Sequence, residues 1–193
     1  GHGCPIRSIR VSDGLEPGGL VFDPPAGDDP LGIMFENRLL RAALRDTALA
    51  AKNIELVMPA RPAETVRDGS GARVALEDGR LLAAPLLVGA EGRGSPTREA
   101  AGIPIARWSY DHAAIIATVT HERSHENVAY EIFYPAGPFA ILPMLPGTDG
   151  LGRSAIVWSV KADDAPAILG LPDRTMAAEI EKRMGGFLGT VGA

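Results

Sequence analysis

Apolar and polar positions alternate most regularly in the second half of the chain. Val128, Tyr130, Ile132 and Tyr134 fall on one side of a two-residue repeat, which predicts a half-buried strand over 128–134. Apolar runs at Ala113–Thr120, Phe139–Leu142 and Ser154–Val160 predict three more. Four such strands in succession imply an antiparallel sheet with one face packed and one partly open. The period then changes. Met176, Ile180, Met184 and Phe187 recur at helical spacing, so the chain is expected to close with helices over residues 162–169 and 174–188. Gly185-Gly186 weakens the last turn.

The first half mixes periods. Leu40, Ala43, Leu44, Ala48 and Ala51 line one face of a helix expected from Asn37 to Ala51. Ile54–Met58 reads as a short strand ended by Pro59. Ala63–Arg67, Ala72–Leu76 and Arg80–Ala83 read as a meander, turned at Asp68-Gly69-Ser70-Gly71 and at Asp78-Gly79. The meander feeds Leu86-Leu87-Val88, an apolar run of buried-strand type, and then the loop Gly89–Gly94. Ser95 is the expected N-cap of the next helix, with Pro96 at its first position. A strand, a tight glycine loop and a helix start make a place for a polar ligand, and a plain strand-to-helix turn would carry the same letters. Residues 1–30, with strands at Ile6–Ser12 and Leu20–Phe22 and a loop at Asp23–Pro30, form an extended hairpin joining the later sheet.

Composition narrows the classes. The 193 residues are 46% hydrophobic and 22% charged, as in an ordinary globular chain. The net charge of −5, without a basic patch interleaved with aromatics, gives no footprint for nucleic acid. No apolar run approaches the roughly 20 residues of a membrane span. The start has no signal-peptide core, and Cys4 is the single cysteine, so a cytoplasmic setting is expected. The layout predicts an α/β (α+β) chain: an extended hairpin over 1–30, an α/β part over 31–104, and an antiparallel β part with flanking helices over 105–193.

Candidate chemistry is sparse. His121-Glu122-Arg123-Ser124-His125 spells H-E-x-x-H, the zinc-peptidase pattern, which works only on a helix. Its flanks read as strands, so a solvated hairpin loop is the stronger expectation and a zinc hydrolase through His121, Glu122 and His125 the alternative. No G-x-S-x-G elbow, P-loop or G-x-G-x-x-G fingerprint occurs. No catalytic side chain or metal ligand set is therefore assigned.

Several stretches together resemble the class A flavoprotein aromatic hydroxylases, and more narrowly the ubiquinone-biosynthesis (UbiH/VisC-type) hydroxylases. Phe35–Leu44 (FENRLLRAAL) resembles that family's ENR-x-L-R-x-AL helix start. Leu86–Arg98 (LLVGAEGRGSPTR) resembles its DG segment. Trp108–Tyr110 with Ala114–Val119, and Gly137–Met144, resemble its middle β-domain. The resemblance implies a partial FAD-binding Rossmann-like part joined to an antiparallel β-sheet substrate part. It implies FAD in a longer parent and NAD(P)H as reductant, with Asn37, Glu91, Gly92 and Arg98 toward the cofactor. Glu91 departs from the family's aspartate by one methylene. Phe133, Phe139, Leu142 and Trp158 are the candidates for the wall of an aromatic substrate's pocket, an ordinary core being the alternative. The implied substrate is a polyprenyl phenol. Candidate partners are other quinone-biosynthesis proteins, and the implied location is cytoplasmic or peripheral to the inner membrane. The chain then reads as a central fragment, expected to hold no FAD and not to turn over alone. A non-catalytic binding or assembly module is a further alternative.

Overall fold

The computed structural model describes residues 3–192 and divides the chain into two compact units, 1–43 with 110–193, and 44–109. Composition places the boundaries elsewhere, at 30/31 and 104/105.

The first unit is built on a seven-stranded sheet. In chain order its local pieces are β1 (Cys4–Ile6), β2 (Ser8–Asp13), β3 (Leu20–Phe22), β4 (Gly32–Met34) and the start of α1 (Asn37–Ala50). After the second unit come β8 (His112–His121), β9 (Val128–Tyr134), β10 (Gly137–Met144) and β11 (Gly152–Lys161). They are followed by α3 (Ala165–Leu169), α4 (Asp173–Met184) and β12 (Val191–Gly192). The strand order is β12-β8-β11-β10-β9-β2-β3, while β1 and β4 form a separate antiparallel pair. The four expected strands are present and antiparallel. The N-terminal hairpin extends them, because β2 pairs parallel to β9 with Ser8 opposite Val128.

Register sorts the side chains to two faces. Phe139 lies opposite Trp158 and Ile132, and Ile141 opposite Ile156 and Tyr130. With Ile115, Val119 and Val160 they form one apolar face, covered by Ile180 and Met184 of α4 and by Leu188. Phe139, Ile141, Ile156, Ile180 and Met184 are fully enclosed, and the Phe139 and Trp158 rings meet edge to face with centroids 6.3 Å apart. α4 stops where Gly185 takes a left-handed φ of 72°, which glycine adopts without a Cβ clash. Alternate positions put Ile116, Glu131, Phe133, Ala140, Leu142, Ala155 and Val157 on the opposite face.

The second unit contains the expected meander, β5 (Pro62–Asp68), β6 (Gly71–Leu76) and β7 (Leu81–Ala84), and one short helix, α2 (Pro96–Ala100). Two expected strands are not formed. Ile54–Met58 and Leu86–Val88 have no ladder among the described residues, and Met58, Leu86 and Val88 stand 73%, 74% and 73% exposed. An apolar run becomes a strand only where neighbouring strands accept its backbone groups. α1 likewise carries its predicted apolar stripe with Leu40 and Leu44 exposed. No helix among the described residues is long and apolar enough to cross a membrane.

Candidate functional site

In the second unit the chain leaves β7, runs through the mostly exposed Leu86–Ala90 segment and makes a 3-10 turn at Gly92–Gly94. Gly92 sits at φ 76° with open space where a Cβ would project. Ser95 then starts α2: its Oγ accepts from Arg98 N at 3.1 Å, and Pro96 takes the first helical position.

Glu91 is tied into this turn. Its carboxylate accepts from the Ser95 hydroxyl at 2.5 Å and from the Thr97 hydroxyl. These bonds, Ser95 first, hold its pKa below the ordinary carboxylate range, so it is charged at neutral pH. A carboxylate has about four acceptor sites, and the backbone N–H groups of Thr97 and Glu91 add to the two hydroxyls, so a ligand hydroxyl has to share them. Arg98 closes the other side, donating from one terminal nitrogen to Arg93 O at 2.8 Å. Its Nε is buried without a partner. An orphaned guanidinium N–H beside an open glycine turn suits a phosphate or another anionic oxygen. The donor set, one cation and one acceptor-only carboxylate, fits a nucleotide's phosphate and ribose. Glu91, Gly92 and Arg98 thus fall in one turn.

Asn37 belongs to the other unit, as the exposed first residue of α1. The residue before it is anchored by two ion pairs. Glu36 accepts from Arg153 of β11 at 3.1 Å and from Arg38 at 2.9 Å. Arg153 chiefly, and then Arg38, keep the Glu36 carboxyl below its usual range. Glu36 O also receives the N–H groups of Leu39 and Leu40, so the ion pair pins the start of α1 to the sheet.

The four expected substrate-wall residues do not share a wall. Phe139 and Trp158 lie on the packed face, 0% and 5% exposed. Phe133, 49% exposed, and the half-buried Leu142 lie on the opposite face. Spacing alone does not order strands, and only the pairing of β10 with β9 and β11 assigns each residue its side.

Glu131 was missed. It sits between Ala129 and Phe133 on β9, with Val11 and Ala140 as cross-strand partners. Desolvation raises its pKa above the ordinary value. An unpaired acidic residue at an alternating position of an otherwise apolar strand face is the signal that could have found it.

The H-E-x-x-H stretch is no zinc site: Glu122, Arg123 and Ser124 form the expected exposed loop, but both histidines are buried. His121 ends β8 and is 1% exposed; His125, in the following turn, is 8% exposed. His121 Nδ1 lies 2.7 Å from Arg123 O and Nε2 3.0 Å from Ser154 Oγ. With a carbonyl at Nδ1, the proton belongs there and Nε2 accepts from the serine hydroxyl. His125 Nε2 lies 2.9 Å from Met144 O, while Nδ1 accepts from Asn127 N at 3.0 Å. Every ring nitrogen is engaged, so neither ring offers a lone pair to a metal. The Glu122 carboxylate turns away to accept from Thr190 N. The described residues contain no group of three or more His, Cys, Asp or Glu able to hold a metal ion. Cys4 is no nucleophile candidate either: it is 2% exposed, and burial raises its pKa.

No family model matches the chain. It is 45% identical over 191 residues to the ubiquinone hydroxylase UbiL of Rhodospirillum rubrum, covering 99% of this chain and 43% of that protein. It is 31% identical over 179 residues to the mitochondrial ubiquinone biosynthesis monooxygenase COQ6 of Homo sapiens, covering 87% of this chain and 37% of that one. Among solved structures, pqsL, a probable FAD-dependent monooxygenase from Pseudomonas aeruginosa, superposes with a TM-score of 0.76 at 19% identity, covering 94% of this chain and 50% of that one. The chain spans less than half the length of the curated relatives it matches.

Proposed function

We propose that the chain, similar along nearly its whole length to ubiquinone-biosynthesis hydroxylases, is the central part of an FAD- and NAD(P)H-dependent monooxygenase acting on a polyprenyl phenol. The likeness to the Rhodospirillum protein, 45% identity along 99% of this chain, carries this reading. The two strand-like runs without ladders, Ile54–Met58 and Leu86–Val88, accord with a nucleotide-binding sheet completed by other parts of a longer protein.

In this reading Arg98 supplies the N–H for a cofactor phosphate, and Glu91 accepts from a ribose hydroxyl. Gly92 lets the backbone come close to the ligand. Glu91 reaches one methylene further than an aspartate would, and its bonds to Ser95 and Thr97 take up that length by folding the side chain back onto the turn. Asn37, at the start of a helix pinned by Glu36 and Arg153, contributes an amide that can donate and accept. Bound FAD supplies the oxygen chemistry, and the protein supplies position, polarity and exclusion of water. Phe133 and Leu142 are the substrate-facing candidates that remain, because they alone of the four lie on the open face. Glu131, beside Phe133, offers a carboxyl to orient a phenolic hydroxyl in an apolar setting. Other quinone-biosynthesis proteins are the candidate partners, and the setting is cytoplasmic or peripheral to the inner membrane.

The test uses two proteins: this chain, and a longer protein containing it together with a G-x-G-x-x-G unit upstream. The longer protein is expected to purify with bound flavin and to consume NAD(P)H faster when a prenylated phenol is added. The 193-residue chain is expected to purify colourless. A longer protein that neither binds flavin nor responds to the phenol refutes the activity. Stoichiometric flavin on the chain alone refutes its dependence on further segments.

A further inference from the structure

On the packed side of the seven-stranded sheet, at the end where β9 turns into β10, a cleft of about 570 Å³ opens between the sheet and the α3–α4 region. That volume lies within the range of about 300–1,000 Å³ usual for small-molecule sites. Tyr134, Trp158, Val160 and Ile168 give it apolar walls. Tyr134, Trp158 and Val160 belong to the sheet face opposite Phe133 and Leu142, so the apolar wall of the cleft is distinct from the expected substrate side.

The charged groups at the cleft are mostly basic. Lys161, at the end of β11, and Lys182 and Arg183, in the last turn of α4, line it, with Asp164 as the one acidic lining residue. Arg183 is committed. Its guanidinium lies over the Trp158 ring, 4.0 Å from the centroid, and donates to Glu179 at 2.5 Å. The Tyr134 hydroxyl donates to Arg183 O at 2.6 Å, which ties β9 to α4 across the cleft. Lys161 and Lys182 are exposed and make no ion pair among the described residues, although Glu179 lies within the field of Lys182. In a chain of net charge −5, two exposed ammonium groups beside an apolar wall form a local reversal of sign. A neutral isoprenoid would satisfy the wall and leave both lysines without a partner. A cation would meet them with repulsion.

We propose that this cleft binds a single-chain amphiphilic carboxylate of fatty-acid type, with its alkyl chain against Trp158, Val160 and Ile168 and its carboxylate between Lys161 and Lys182. The wall is preorganised, because stacking and hydrogen bonding fix Trp158, Tyr134 and Arg183 in the absence of ligand.

Trp158 is a built-in reporter, since the only other tryptophan is Trp108. In a Trp108→Phe background, this chain is titrated with sodium decanoate below its micelle concentration while Trp158 emission is followed. A saturable change is expected. Decanol is expected to bind about tenfold more weakly, the loss of a charge-assisted contact. Decyltrimethylammonium is expected to bind more weakly still. Lys161→Glu with Lys182→Glu, both at exposed positions, should weaken decanoate by about tenfold or more and reverse the preference between anion and cation. Circular dichroism of the double variant reports that the fold is kept. Decyl phosphate serves as the second anionic head group: weaker binding than decanoate supports the carboxylate, and tighter binding overturns that assignment in favour of a phosphate. The absence of a saturable change with decanoate, or equal binding of decanoate and decyltrimethylammonium, overturns the site.

Discussion

Lowering the pH should destabilise the first unit through His121 before its carboxylates matter. The ring is 1% exposed, with both nitrogens engaged, and burial chiefly, together with the neighbouring His125, pushes its pKa below the ordinary 6.5. The folded chain therefore takes up a proton less readily than the unfolded chain. Its neutral form contributes stability that is complete above pH 6.5 and is lost as the pH falls from there through the folded value. If the folded state takes up no proton, the loss reaches about 1.4 kcal/mol one pH unit below the unfolded pKa, the free energy of one proton over one unit. For a chain of this size that is about 3–6 °C in Tm. Glu36, Glu91, Glu122 and Glu179 are all held below their ordinary value, and Asp68 at about 2, so their stabilisation is lost at lower pH. Glu131, raised by burial, acts in the opposite direction, so the measurement is made in a Glu131→Gln background. Urea unfolding followed by Trp158 emission, with Trp108 replaced by Phe, reads the change between about pH 7.5 and 5.5. His121→Gln should lower stability at neutral pH yet flatten the slope. A flat profile for the parent, or an equal slope in the variant, would refute the reasoning.

The two faces of the sheet predict opposite mutational outcomes. Phe139→Ala should cost about 3–5 kcal/mol, because the ring is fully enclosed between Trp158 and Ile132. Phe133→Ala, half exposed, should stay within about 0.5 kcal/mol in urea unfolding of this chain. Glu131→Gln should stabilise the chain at neutral pH, where the half-buried carboxyl is charged, and not well below pH 4.5, where it is protonated in both folded and unfolded states. Equal effects at both pH values would show that its burial carries no electrostatic cost.

The elements that were legible in the sequence are those whose signal is local. Val128–Tyr134 appears as a strand with the predicted ends, because alternation is a property of the strand itself. Ser95-Pro96 starts a helix for reasons contained in two residues, a hydroxyl acceptor and a fixed φ. The family resemblance also rests on letters in order, and relatives across nearly the whole chain accord with it.

What the letters could not assign depends on partners distant in the chain. Leu86-Leu87-Val88 has the composition of a buried strand, but strand formation also requires a neighbouring backbone, and no described residue provides one. His121 and His125 read as a loop pair with metal spacing. Tertiary structure instead buries them and occupies their nitrogens with Ser154 and Met144, 33 and 19 residues away in the chain. Phe139 and Phe133 are chemically identical, and their opposite fates follow from register, which one residue of slip would exchange. Sequence by itself thus determined the elements whose signal is local, the Glu91 turn and the family resemblance. Only the tertiary structure decided which faces are core, which histidines are structural, and that Arg98 holds a buried N–H without a partner, because burial and hydrogen-bond pairing are relations between distant residues.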